Sequence, residues 1–242
     1  MNIGFSLFKQ KALLSEVDIH SHLIPGIDDG AKDIERSIEL ILELKKMGYR
    51  KLITTPHISD MFPNSKETIL EGYTYLKDEL EKRSIEIEIE VAAEYFADEK
   101  FEKLLTQKEI LTFGEEKKYL LFELSYFTKP LELETLIYEI KLAGYTPVLA
   151  HPERYTYFHN SIEHYKELKA MGVLLQINLN SIVGYYSEEV AKIVKLLINN
   201  GLVDFIGSDT HHRRHTKYLQ KSLNSSWYKK IFKDNLILNN KL

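Results

Sequence analysis

An α/β fold with a parallel sheet is predicted for this 242-residue chain by three observations. Short β-branched apolar runs alternate with longer helical patterns, several of those patterns end at glycine, and metal-ligand types of residue recur where the apolar runs stop. The runs fall at 17–20, 51–55, 88–94, 119–124, 146–150, 173–179 and 203–207. Between them, Leu133, Leu136, Ile137 and Ile140 form the stripe of an amphipathic helix, as do Val190, Ile193, Val194, Leu197 and Ile198. Ile34, Ile38, Ile41 and Leu42 repeat the pattern, with Asp33 as the expected N-cap. Gly48, Gly144, Gly172 and Gly201 each follow a helical stretch and precede a strand, where glycine supplies the left-handed turn. A β-α-β rhythm of this kind requires parallel strands joined by helical crossovers. Seven such units without a Pro/Ser/Gly-rich linker predict one domain over residues 1–242, and a closed or nearly closed (β/α) barrel. An open doubly wound sheet is the alternative. The barrel core spans about 17–215. The remainder, about 216–242, reads as a terminal capping helix with Trp227, Tyr228, Ile231, Phe232, Leu236 and Ile237, followed by a frayed end.

Composition removes several classes of function. The chain has no cysteine, which excludes disulfides, thiolate-bound metals and every cysteine-nucleophile mechanism. A net charge of -4 provides no global basic field, so nucleic acid is not an expected partner. No apolar stretch reaches the length of a bilayer, so direct membrane insertion is not expected either. The N-terminus has no basic start, long apolar run or cleavage site and reads as no signal peptide, and a cytoplasmic location is expected. Phe5, Leu7 and Phe8 are expected to cover an opening in the domain.

The chemistry lies at the strand ends. The first strand closes in His20-Ser21-His22, and Asp28 and Asp29 follow within a few residues. Alternate residues of a strand share a face, so both imidazoles can address one point. The second strand ends in Thr55-Pro56-His57, the third carries Glu94 and the fourth Glu123. The fifth ends in His151-Pro152-Glu153-Arg154, the sixth carries Gln176, Asn178 and Asn180, and the seventh ends in Asp209-Thr210-His211. Taken singly, each is an ordinary polar residue at a strand end. In a parallel barrel all these ends face one mouth, and a carboxylate after an apolar run is costly to bury without a compensating cation. A donor set of His, Asp and Glu without sulfur favours manganese, iron, zinc and similar ions. Nine candidate ligands exceed the three of a mononuclear hydrolytic site. Two or three ions sharing a carboxylate fit better, and metal-dependent hydrolysis is the chemistry implied.

These motifs, in this order, resemble those of the PHP (polymerase and histidinol phosphatase) superfamily. The closer similarity is to its manganese-dependent protein-tyrosine phosphatases, encoded with bacterial capsule and exopolysaccharide genes. The run Asp18-Ile19-His20-Ser21-His22-Leu23-Ile24-Pro25-Gly26-Ile27-Asp28-Asp29-Gly30-Ala31 matches that subfamily's opening. Thr55-Pro56-His57, Ala93-Glu94-Tyr95, Glu123-Leu124-Ser125, Ala150-His151-Pro152-Glu153-Arg154-Tyr155 and Ser208-Asp209-Thr210-His211 extend the match over about 17–215. The resemblance implies a distorted (β/α)7 TIM-like barrel, the PHP fold, with three divalent ions. These would be manganese, with iron, zinc, cobalt or magnesium as alternatives. One ion would be held by His20, His22, Glu94 and Asp209. A second would share Glu94 and take Glu123 and His151, and a third would use Asp29, His57 and His211. Asp29 is taken as the ligand, with Asp28 as an outer or turn residue. Arg154 occupies the place of a phosphate-holding arginine, and a second arginine is Arg213 or Arg214.

The activity implied is hydrolysis of phosphotyrosine by a metal-activated hydroxide, with Arg154 and Arg213 or Arg214 in catalytic roles and His211 assisting the departing phenolate. The implied partner is a tyrosine autokinase that regulates capsule or exopolysaccharide synthesis. Tyr155, Tyr157, Tyr185 and Tyr186 are candidates to flank the substrate ring, whereas His159, His164, His212 and His215 are taken as surface residues. A small-molecule phosphatase, such as histidinol phosphatase, is the nearest rival. A non-catalytic regulatory module of the polysaccharide machinery is the rival from another class. A phosphodiesterase or nuclease is weakened by the chain's acidic balance.

Overall fold

A computed structural model describes residues 13–242. Phe5, Leu7 and Phe8, and the N-terminal stretch read as no signal peptide, lie outside the described residues. The chain runs β1 (Val17–Asp18), α1 (Ile34–Met47), β2 (Lys51–Thr54), β3 (His57–Ile58), α2 (Lys66–Lys82), β4 (Glu88–Val91), β5 (Glu94–Phe96) and α3 (Glu99–Gln107). It continues through β6 (Tyr119–Glu123), α4 (Leu133–Leu142), β7 (Thr146–Ala150), α5 (Glu163–Ala170), β8 (Leu174–Asn178), α6 (Glu188–Asn199) and β9 (Phe205–Gly207). Two helices, α7 (Arg213–Asn224) and α8 (Ser226–Asp234), end it.

Local signals explain the crossovers. The Asp33 side chain accepts from the Arg36 amide and starts α1, while Gly48, at φ 113°, ends it. Ser187 caps α6 in the same way, and Val190, Ile193, Val194, Leu197 and Ile198 form its buried stripe.

Every pairing between the named strands is parallel. The order is β1-β2-β4 in one sheet and β3-β5-β6-β7-β8-β9 in the other. The expected second and third strands are each broken, into β2 and β3 and into β4 and β5. Pro56, which has no N–H to give to a ladder, lies in the first break. Backbone bonds cross the gap, from Ala92 N to Thr54 O (2.9 Å) and from Glu94 N to Pro56 O (3.0 Å). The chain after β1 bonds on both sides: Thr55 N donates to Ser21 O (2.7 Å), and His22 N donates to Thr210 O (3.0 Å).

The inner faces of the strands pack Ile19, Ile53, Leu121, Val148, Ala150 and Phe205 against one another. A larger apolar cluster fills the space between sheets and helices. Period-two alternation then carries Leu121 to Glu123 and Leu174 to Gln176 and Asn178, so these polar residues continue the inner face at the strand ends.

The C-terminus differs from the expected capping helix and frayed end. Two helices form, α7 starts at Arg213, and the last residues are tied down. Buried Asn239 accepts from Ile206 N (3.0 Å) and donates to Ile206 O (2.8 Å) and Val17 O (3.0 Å). No helix among the described residues is long and apolar enough to cross a membrane.

Candidate metal centre

Glu94, fully buried at the start of β5, is the centre of the arrangement. Its carboxylate lies 3.2 Å from His20 Nε2, 3.5 Å from His22 Nε2, 3.2 Å from His57 Nδ1 and 2.9 Å from His151 Nε2. Asp209 Oδ1 stands 3.5 and 3.6 Å from His20 and His22 Nε2. Glu123 reaches His57 Nδ1 at 3.2 Å and His151 Nε2 at 3.8 Å. The half-exposed Asp29 faces His211 Nε2 (3.3 Å) and His57 Nε2 (3.6 Å). All nine ligand candidates therefore meet in one place. Three subsets have ligand atoms close enough to hold a metal ion: His20-His22-Glu94, His57-Glu94-Glu123, and His22-Asp29-His57-His211. His22 and His57 each belong to two subsets, as Glu94 does, whereas the division implied by the resemblance shares Glu94 alone.

An outer layer aims these side chains. His20 Nδ1 meets Gln176 Oε1 at 2.7 Å, His22 Nδ1 meets Asp28 Oδ2 at 2.8 Å, and His211 Nδ1 meets the Asp209 carbonyl at 3.0 Å. Those oxygens accept, so Nδ1 is the donor in each, and Nε2 is the ring nitrogen turned toward the cluster. Gln176 donates on to Asn178 (3.0 Å), which donates to Asp209 Oδ2 (2.6 Å). Asp28 also accepts from the amides of His57 and Gly30, which fixes it behind His22 and leaves Asp29 facing the imidazoles. Gly207 allows β9 to approach: a Cβ there would meet His20 Cβ at 2.6 Å. His151 and Asp209 both hold positive φ, at 35° and 50°, a strained backbone for non-glycine residues that clusters at functional sites.

Charge balance is the test of whether cations suit this set. Burial pushes the His20 imidazole down, but Glu94 and Asp209 outweigh it and raise it to about 9. Burial alone would raise Glu94, yet His20 and His57 hold its carboxylate well below the usual range. Asp209 is likewise held low against its burial by His20, His211 and Arg154. The carboxylates are thus ionised and buried, which is favourable only beside positive charge. Nitrogen and oxygen donors at this density, with imidazole nitrogens and carboxylates converging and a bound cation able to displace the imidazole protons, fit divalent transition-type cations.

Arg154 reaches the same cavity of about 710 Å³, as do Tyr185 and Tyr186. The two arginines of α7 diverge. Arg213 is engaged by Glu39 (3.0 Å) and Glu43 (3.1 Å) on α1, while Arg214 lies over the ring of Tyr185, 5.2 Å from its centroid. Tyr155 and Tyr157 do not line the cavity. Tyr155 is buried, its hydroxyl donating to Ala150 O (3.0 Å), and Tyr157 donates to Ser125 O (2.9 Å). Two expected surface histidines, His212 and His215, line the cavity instead, and His215 Nδ1 accepts from the His211 amide at 3.0 Å. The four-residue step from His211 to His215 at a helix start is a signal for this, since it brings the two side chains to one side. Tyr126, also in the cavity wall, carries no comparable signal.

Glu153, which follows the strand-end His151, is fully buried. Its Oε1 accepts from Asn178 N (2.9 Å) and Ser181 Oγ (2.6 Å), and Oε2 has no partner among the described residues. Burial pushes its carboxyl up to about 7, against the lowering effect of Ser181 and Asn178. A carboxyl raised in the folded state contributes stability that is full below its ordinary pKa, about 4.3, and is lost as pH rises through about 7. Glu153→Gln, neutral throughout, is expected to flatten this slope. Urea unfolding at pH 5 and pH 8 checks it, and a slope unchanged from wild type would remove Glu153 as its source.

Parallel strands whose ends gather imidazoles and carboxylates around one buried glutamate define an α/β protein with a candidate metal centre of nitrogen and oxygen donors. The chain belongs to the CpsB/CapC family of capsular polysaccharide synthesis, whose model matches residues 16–238. It is 33% identical to the tyrosine-protein phosphatase CpsB of Streptococcus agalactiae over 203 residues, covering 81% of this chain and 83% of that protein. The tyrosine-protein phosphatase YwqE of Bacillus subtilis is 30% identical over 197 residues, 81% and 77% of the two chains. A solved structure described with YwqE from Bacillus subtilis and CpsB from Streptococcus pneumoniae, as metal-dependent tyrosine phosphatases, superposes with a TM-score of 0.81 at 27% identity. That likeness covers 93% of this chain and 94% of the other. An amidohydrolase from Mycoplasma synoviae shares the fold, with a TM-score of 0.54 at 14% identity. The resemblance drawn from the motifs is borne out at the level of the family.

Proposed function

We propose that this protein is a metal-dependent protein-tyrosine phosphatase, a phosphoric monoester hydrolase that needs no cysteine. The observation that carries this reading is the convergence of four imidazoles on the Glu94 carboxylate, in a cavity that also holds Arg154. The ligand set proposed is His20, His22, Asp29, His57, Glu94, Glu123, His151, Asp209 and His211. Three close-packed subsets support three ions, with manganese the first candidate and iron, zinc, cobalt or magnesium behind it. When bound, such ions activate a water and neutralise phosphoryl charge.

The chain's own residues hold the ester. Arg154 offers planar N–H donors to the phosphoryl oxygens, and Arg214, beside Tyr185, is favoured over the engaged Arg213 as the second cation. His211 has its Nε2 against Asp29, which favours a ligand's role over that of an acid. Exposed Met61 and Phe127, 80% and 86% accessible, stand at the cavity wall and suit an aryl ester carried on a peptide.

A distorted (β/α)7 barrel forming one domain is part of the same proposal, supported by the bonds that join the chain after β1 to both β2 and the end of β9. Membership in a capsular polysaccharide synthesis family supports a phosphotyrosine protein of that machinery, such as a tyrosine autokinase, as partner, and a cytoplasmic setting. Manganese-loaded protein assayed with a phosphotyrosine peptide and with histidinol phosphate tests the reading. A higher kcat/KM for the peptide is expected. Preference for histidinol phosphate would replace it with the small-molecule reading, and metal-loaded protein inert toward both would leave the regulatory module.

A further inference from the structure

We propose that Tyr126 and Tyr186 are positioning residues that clamp the two faces of the Arg154 guanidinium, so that only its N–H edge meets the phosphoryl group. The inference rests on Arg154 as a phosphate-holding residue. The guanidinium carbon lies 4.3 Å from the ring centroid of Tyr126 and 4.2 Å from that of Tyr186. Both distances are well within cation–π range, and the two rings come from different loops, one after β6 and one before α6.

Each ring is anchored at its hydroxyl and by a second aromatic ring. Tyr126 donates to Glu123 Oε2 (3.2 Å) and stacks on buried Tyr155 at 5.8 Å and 25°. Tyr186 donates to Asp209 Oδ2 (2.8 Å), accepts from Asn178 Nδ2 (3.1 Å) and meets Tyr185 edge-on at 4.9 Å. The clamp is thereby tied to two of the carboxylates proposed as metal ligands.

Guanidinium donors all lie in the molecular plane. With both faces covered, the group cannot turn toward another carboxylate, and a ligand must approach edge-on, in the geometry that pairs two N–H groups with two phosphoryl oxygens. One long contact, Arg154 to Asp209 Oδ2 at 3.4 Å, is the only hydrogen bond the guanidinium makes among the described residues. Arg154 itself lines the cavity. An ammonium has no planar faces, so lysine at position 154 would not use this clamp.

The test is a double-mutant cycle in the full-length, manganese-loaded protein. Competitive inhibition by inorganic phosphate, and kcat and KM for a phosphotyrosine peptide, are read for Tyr126→Leu, Tyr186→Leu, their phenylalanine counterparts, Arg154→Ala and the leucine–alanine doubles. Metal content and melting temperature are read alongside. Each leucine variant is expected to weaken phosphate inhibition and raise KM about tenfold, the scale of a desolvated cation–π contact, with metal content unchanged. Phenylalanine, which keeps the ring, is expected to recover most of the loss. In the Arg154→Ala background the leucine substitutions should add nothing. A leucine effect of equal size in that background, or none in either, overturns the clamp. Phosphate inhibition unaffected by Arg154→Ala would instead remove the role of Arg154 itself and the clamp with it. Should one leucine variant fail to fold, the cycle on the other tyrosine decides by the same comparison.

Discussion

Glu94→Gln is expected to reduce phosphotyrosine hydrolysis by more than about a hundredfold, because even outer-shell losses at metal sites cost about 10–100-fold. Four imidazole nitrogens lie within 3.5 Å of this one carboxylate. Among the described residues no other carboxylate meets so many of the candidate imidazoles, and its ionised form is the group that a shared pair of cations requires. Glutamine keeps the volume and removes the charge, so the fold should survive while metal affinity falls. Metal content by elemental analysis, peptide turnover and melting temperature separate these effects. Full activity with a normal complement of metal would remove Glu94 from the centre and with it the shared-ligand arrangement.

Chelation is expected to have an effect of similar size on activity and a clear one on stability. The Glu94, Asp209 and Glu123 carboxylates are buried or nearly so, and Asp28 is held against His22 beneath them. Cations that bind the folded chain and not the unfolded one add to its stability. Ions bound at a hundred times their dissociation constant stabilise a folded protein by about 2.7 kcal/mol. Treatment with a chelator should therefore abolish turnover and lower the melting temperature by several degrees, roughly what a loss of this size causes in a chain of this length. Adding manganese should restore both. Turnover that survives exhaustive metal removal, checked by elemental analysis, would defeat the metal-dependent reading outright.

Much of the fold was legible in the order of residues because its determinants are local. The α1 cap at Asp33, the glycine stop at Gly48 and the α6 stripe from Val190 to Ile198 are set by neighbours within one or two turns. Strand ends were less legible. The breaks at 55–56 and 92–93 lie side by side in paired strands, and pairing joins residues more than thirty positions apart. The arginine pair shows the same limit. Consecutive helical residues point about 100° apart, so Arg213 and Arg214 diverge, and neither lines the cavity. Glu39 and Glu43 of α1 take Arg213, and the Tyr185 ring takes Arg214.

Residue types and their spacing alone established the absence of cysteine chemistry, the β-α-β rhythm, the nine candidate ligands and the kinship with capsule-linked phosphatases. These properties are written in short motifs, whose meaning survives without coordinates. Packing decided the rest: the sharing of His22 and His57 between ligand subsets, the burial of Tyr155, the cavity positions of His212 and His215, and the closure of Tyr126 and Tyr186 over Arg154. Each depends on side chains brought together from distant strands and loops, and hydrogen bonds such as His20 to Gln176 join residues 156 positions apart. Distances of that kind arise only when the sheets and helices bury their apolar faces together, and no local pattern encodes them.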